Sequence, residues 1–243
     1  MKSIPTFVWL CAASSLLGAS AASAQVASPA TEKFYVNVNV GGQLADRTLG
    51  SSTSQAVYGE TATLTSSQPV AKGMTFDFGG GYRIWHDLYV GIVVTRFSDT
   101  ADATYTASVP DPVVFGRPRT VTGTETTLDR SEIGFNPHVT WVRPLTDKFD
   151  IALGVGASFI TLKQRLVNNF QVPVGSQAVV PLIGEETATG KGVFAQADFI
   201  YSLAARYGVG GFIRYAGGKA DLPSSPDHNV GGMQAGGGIR LRF

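Results

Sequence analysis

Residues 236–243 read GGGIRLRF, and on them the sequence stops. Successive side chains of a strand point to opposite faces. Ile239, Leu241 and Phe243 therefore share one face, and Gly238, Arg240 and Arg242 the other. Reading back through GGMQAGGGIRLRF adds Met233 and Ala235 to the apolar face and Gln234 and Gly236 to the polar one. A chain end is ordinarily frayed and solvated. An end whose last ring stands in register with an apolar face is read as a strand rather than a tail.

The same period of two recurs seven times upstream. Phe34, Val36, Val38 and Val40 oppose Asn37 and Asn39. Met74, Phe76 and Phe78 oppose Thr75 and Asp77, with Arg83 further along the polar face. Val90, Ile92 and Val94 follow, and then Ile133, Phe135, Val139 and Trp141 against Glu132, His138 and Thr140. Phe149, Ile151, Leu153, Val155 and Phe159 oppose Asp150 and Ser158; Val193, Ala195, Phe199 and Tyr201 oppose Gln196 and Asp198; Tyr207, Val209, Ile213 and Tyr215 oppose Arg214. The expectation is eight strands, each of about 9–11 residues, the length a tilted strand needs to cross a bilayer.

The connections sort by length. His86-Asp87, Arg143–Lys148 and Ala204–Arg206 are short, whereas 45–71, 98–127, 163–191 and 217–229 are long, in strict alternation. Barrels of the bacterial outer membrane have short periplasmic turns and long external loops. Phe34, Trp85, Trp141, Phe149, Tyr207 and Phe243 fall at the short-turn ends, and Phe97, Phe159 and Tyr215 toward the other, as two interfacial aromatic girdles would.

Ahead of the strands, residues 1–24 carry Lys2, an apolar stretch and the small-residue exit Ala22-Ser23-Ala24, the pattern of a signal peptide cleaved before Gln25. Cys11 is the only cysteine, so no disulfide or thiolate metal site is expected after cleavage. Residues 25–33 are then a short periplasmic lead into a single barrel domain over 34–243. The 19 basic and 18 acidic residues nearly cancel, which gives no field to recruit nucleic acid.

With its eight alternating strands, sorted connections and closing aromatic, the chain resembles the small eight-stranded outer-membrane barrels of the OmpA and OmpX type. The resemblance implies an all-β, antiparallel, up-and-down transmembrane barrel exported to the outer membrane of a Gram-negative bacterium. It also implies that Gly237, Ile239, Leu241 and Phe243 form a C-terminal signal read by the barrel assembly machinery. Membrane lipid and lipopolysaccharide are the implied surroundings, with an extracellular partner for the long loops and no cofactor.

Asp77, Glu132, Asp150 and Asp198 share the polar faces with Arg83, Arg214, Arg240, Arg242 and His138. An eight-stranded lumen is just wide enough for side chains to fill. Opposed charges confined there must pair, so the expectation is a plug of ion pairs with a structural or surface-interaction role and no catalysis. Two alternatives stand beside it. One is a narrow OmpW-type conduit for small hydrophobic molecules, which needs an apolar lumen. The other is a lipid A deacylase-like enzyme, suggested by His138 and Thr140 on one strand face, although alternation turns both inward. No histidine pair has metal-ligand spacing. In the second connection TADATYTASV (100–109) and RTVTGTETTL (119–128) are Thr-rich and alternate on either side of PDPVVFGRP (110–118), which reads as a hairpin that prolongs the third and fourth strands above the membrane. The third connection contains FQVPVGSQAVVPLIG (170–184), apolar for a surface segment, which either forms a contact site or packs against its neighbours.

Overall fold

The computed structural model describes residues 33–44, 47–70, 73–173 and 178–243. The expected signal peptide at 1–24 and, except for Lys33, the expected segment at 25–33 lie outside the described residues. The strands are β1 (Phe34–Gln43), β2 (Arg47–Val57), β3 (Glu60–Val70), β4 (Met74–Trp85), β5 (Leu88–Val109), β6 (Arg119–Pro144), β7 (Phe149–Gln171), β8 (Val180–Ser202), β9 (Tyr207–Leu222) and β10 (Ser225–Arg242).

Eight of them form an antiparallel ring. β1 pairs with β4, and from β4 each strand pairs with the next as far as β10. β10 then returns to β1 from Tyr35 opposite Arg242 to Gln43 opposite Gln234. The GGGIRLRF stretch supplies this closing seam. Its last residue belongs to it: Phe243 N–H donates to Phe34 O at 2.8 Å, and Phe243 O accepts from Lys33 N at 2.7 Å and Phe34 N at 3.0 Å. Closure leaves no open strand edge in the ring.

The remaining two strands, β2 and β3, make a hairpin inside the first long connection. Its two-residue turn is Tyr58-Gly59, both with positive φ (52° and 80°), the geometry that matches strand twist. Residues Thr63–Ser67 of β3 add to β5 beyond the ring, opposite Thr104–Ser108.

The barrel is inside-out relative to a water-soluble one. On β4, Phe78 is 59% exposed while Thr75 is fully buried. Val38, Ile92, Phe135, Val155, Phe199, Val209 and Ile239 continue the exposed apolar belt around the ring. Such a contiguous apolar surface far exceeds what a water-exposed monomer tolerates. It is the surface lipid requires.

Strands β5 to β8 run 22, 26, 23 and 23 residues, about twice the expected length. The second connection is the prolonged hairpin its alternation implies, and much of the other long connections is continued ladder as well. The cause is visible on β7. Within the belt its odd-numbered Leu153, Val155 and Phe159 face out; farther on, the even-numbered Leu162 and Leu166 are buried inside while Lys163 and Arg165 are outside. The alternation keeps its period but exchanges which face is apolar. Above the exchange the hairpins pack on each other in a second core of Ala62, Leu64, Ala107, Val109, Val167, Phe170 and Val179. Val167, Phe170 and Val179 of the third connection belong to that core, so packing accounts for them, while Val180 and Ile183 remain exposed. One expected girdle member is corrected: Phe97 is 3% exposed and points inward, since it shares parity with Val93 rather than with Val94.

Candidate functional site

Among the described residues the lumen concentrates charge away from solvent, and β10 serves as a ruler along it. At the end with short turns, Arg242 Nη2 donates to Asp150 Oδ2 at 2.5 Å. Two residues on, Arg240 grips Asp198 through both arms, Nε to Oδ2 at 2.9 Å and Nη2 to Oδ1 at 2.7 Å, and also donates to the Asn39 amide oxygen. Asn39 in turn donates to Asp77 Oδ1 at 2.5 Å. Higher on β10, Gln234 Oε1 accepts from Arg214 Nε at 3.0 Å, and Arg214 Nη2 donates to Asp77 Oδ2 at 2.6 Å, with both charged side chains wholly buried. The Arg214 guanidinium also lies 4.5 Å from the centre of the Phe212 ring, a cation–π contact.

At the end with long hairpins, Gly231 N–H donates to Glu132 Oε2 at 2.8 Å. Glu132 Oε1 receives Arg130 Nε and Nη2 at 2.8 and 2.6 Å, and Arg47 reaches it at 3.5 Å from the first hairpin. Arg130 Nη1 extends to Gln164 at 2.5 Å, and Gln164 Nε2 donates to Gln68 at 2.8 Å. The chain here bends through Gly231 at φ 72°, where a Cβ would fall 1.9 Å from Ala216 O. Glycine is the residue that permits both the angle and the approach.

All nine charged or histidine residues expected on the lumen face lie off the lipid-facing belt. Seven are buried, while Arg83 and Arg242 are half-buried near the short-turn end. The pairs Arg242–Asp150, Arg240–Asp198 and Arg214–Asp77 join strands distant in sequence, which period alone could not assign. Arg130, Arg47, Gln164 and Gln68 were missed. Arg130 and Glu132 share parity, so extending the β6 alternation two residues upstream would have found Arg130; no such signal marks Arg47, which arrives on a separate hairpin.

Apolar side chains share the lumen with the charges. Val93, Phe194 and Ala216 pack together inside. Near the short-turn end a cavity of about 40 Å³ is bounded by Tyr35, Asn37, Tyr89, Thr140, Gln196 and Asp198 among others. His138 is buried, its Nδ1 2.9 Å from Asn136 O and its Nε2 3.4 Å from Tyr35 OH, with its ring 5.0 Å from that of Phe194. Thr140 is buried on the same face, so neither residue of the enzyme alternative meets the lipid-facing surface. Of the short-turn aromatics, Phe34, Trp85, Trp141, Tyr207 and Phe243 are exposed on the outside and Phe149 is half-buried.

His228, on β10 above the belt, lies 3.3 Å from Arg130 Nη1. Burial, then the Arg130 and Arg47 charges, hold its pKa down at about 4. A folded value below the ordinary 6.5 means the neutral ring favours folding fully above pH 6.5, and that this contribution is lost as pH falls through 4. Hydrogen-exchange protection at Asn229 and Val230 is expected to fall between pH 7 and pH 4, and His228→Gln to flatten that fall. Equal protection factors at both pH values in the native protein would refute the assignment.

No family model and no curated protein matches this sequence. Among solved structures the chain is similar to Neisserial surface protein A, at 16% identity over 86% of this chain and 97% of that one, with a TM-score of 0.45. It is similar to the outer membrane protein OprG of Pseudomonas aeruginosa, at 9% identity over 87% and 96%, with a TM-score of 0.45. It is also similar to the attachment invasion locus protein Ail of Yersinia pestis, at 10% identity over 86% and 99%, with a TM-score of 0.37. No residue role is carried across at these identities.

Proposed function

We propose that the chain is a non-catalytic integral barrel of a Gram-negative outer membrane, which carries a braced set of hairpins on the cell surface and whose lumen is a plug rather than a path. The observation that carries this reading is the exchange of faces. An apolar belt encloses a lumen bridged between strands by the pairs Arg242–Asp150, Arg240–Asp198 and Arg214–Asp77, with Arg130 and Glu132 paired along β6 above it. In water that arrangement exposes the wrong surface; in lipid it satisfies every requirement of a spanning barrel. The short turns then face the periplasm and the long hairpins the exterior, with Phe34, Trp85, Trp141, Tyr207 and Phe243 as the inner interfacial girdle.

The plug reading rests on side chains that fill the bore, which argues against both a water-filled pore and an apolar conduit. Reconstituted in planar bilayers, the protein is expected to show no steady channel current. An epitope inserted at Ser108 is expected to be reached by antibody on intact cells, and one at Thr146 only after permeabilisation. Stable open channels would replace the plug with a pore, and labelling at Thr146 on intact cells would invert the topology.

A further inference from the structure

The connection between β5 and β6 presents Val113, Val114 and Phe115 to solvent, with Val113 87% and Phe115 78% exposed. The chain has buried apolar residues elsewhere in this region, so exposure here is not a shortage of places to pack: Val109, four residues earlier, is wholly buried in the hairpin core. Nor is the tip a loose end. Asp111 Oδ1 accepts from Val113 N at 2.8 Å and Val114 N at 3.1 Å, Gly116 N donates to Glu60 Oε1 at 2.7 Å, and Pro110, Pro112 and Pro118 restrict the backbone around it. These bonds turn the two nearby carboxylates toward backbone donors. Arg117 remains exposed on the same tip. What is displayed is three apolar side chains flanked by the Arg117 cation, with the Asp111 carboxylate tied back to the Val113 and Val114 N–H groups, held in one shape.

From the geometry and charge of this tip we infer that it is a finger that docks shallowly into an apposed lipid bilayer with anionic headgroups. The inference rests on the orientation proposed above and gives the displayed hairpins a partner. Ser98–Val109 is about 40 Å of strand, or about 30 Å of height once tilted, above the belt. That distance removes the tip from the protein's own bilayer. Three side chains fall well short of the roughly 800 Å² per partner of a standard protein interface, and the strands below them, TVTGTETT at 120–127, are polar. Apolar residues that enter the interfacial layer beside a cation attracted to acidic headgroups need only such a small tip.

The protein, folded in nanodiscs, would be mixed with separate vesicles of phosphatidylcholine alone or with added phosphatidylserine, and the vesicles floated. Gel mobility before and after heating reports the barrel itself, so a chain that fails to fold into the disc overturns the barrel reading, whereas a folded barrel that ignores vesicles overturns only the finger. Co-flotation with acidic vesicles is expected, with Val113→Ser/Phe115→Ser lowering partitioning about tenfold or more. Arg117→Gln is expected to lower it about fivefold on acidic vesicles and leave neutral ones unchanged. In a Phe115→Trp variant, brominated acyl chains in the vesicles should quench the new fluorescence. Unchanged flotation of the double serine variant, or absence of quenching, overturns the inference. Absence of flotation with either vesicle also overturns it and leaves the tip to a protein partner.

Discussion

Arg214→Ala is expected to destabilise the folded barrel in lipid vesicles by about 3–5 kcal/mol, the usual penalty for leaving a buried charge without its partner. Arg214 and Asp77 are wholly buried, joined at 2.6 Å, and each is held from a second side: Asp77 by Asn39, Arg214 by Gln234. Removal of the cation strands the Asp77 carboxylate among groups placed for an ion pair. Removal of both charges strands neither. Asp77→Ala/Arg214→Ala should therefore be less destabilised than the sum of its single variants, and a double-mutant cycle should return a large coupling. Urea titration followed through the interfacial Trp85 and Trp141 measures each term. A loss below about 1 kcal/mol for Arg214→Ala would show that water or another side chain takes over the carboxylate, which is the behaviour of an exposed pair.

The second large effect is expected in cells and not in the test tube. Phe243→Ala should leave the purified barrel able to refold, with a loss of about 1–2 kcal/mol for a ring that is only partly covered by protein. Its folded yield in the outer membrane should fall severalfold, with degradation in the periplasm. Substitution separates these effects better than deletion, because the Phe243 backbone itself makes three hydrogen bonds to Lys33 and Phe34 across the seam. An alanine keeps those bonds and removes only the ring that the assembly machinery is proposed to read. Native cellular yield with Phe243→Ala would reduce the residue to an interfacial anchor.

How far such residues could be found from sequence depends on where they lie relative to the belt. Inside it, neighbours on a strand sit in opposite solvents, lipid and lumen, and the contrast between Phe76 and Asp77 or between Leu241 and Arg240 is as strong as side chains allow. The eight ring strands and the lumen set from Asp77 to Arg242 were legible for that reason. Above the belt the contrast weakens and its sense reverses: on β6, Leu128 and Arg130 are both buried inside, and on β7 Leu162 alternates with Lys163. Apolar-outward parity loses the β7 and β8 extensions at that point, whereas the Thr-rich alternation of 100–109 and 119–128 keeps the β5–β6 hairpin legible. The inward ring of Phe97 follows from its parity with Val93, which height along the strand does not report. Long-range choice of partners, such as Arg240 for Asp198 across 42 residues, follows from ring order and shear and has no local signature.

The unusual length of β5 and β6 has a mechanical consequence. A pull on the Val113–Phe115 tip draws both strands along their own axes. β5 is laced to β3 and β4 on one side, and β6 to β7 on the other. The load is thus spread in shear over many rungs at once, where a pull across the strands would open them one rung at a time. The hairpin is built as a stay that passes tension from its tip into the barrel wall, and the apolar cluster around Leu64, Val109 and Phe170 keeps that stay from buckling when the force reverses.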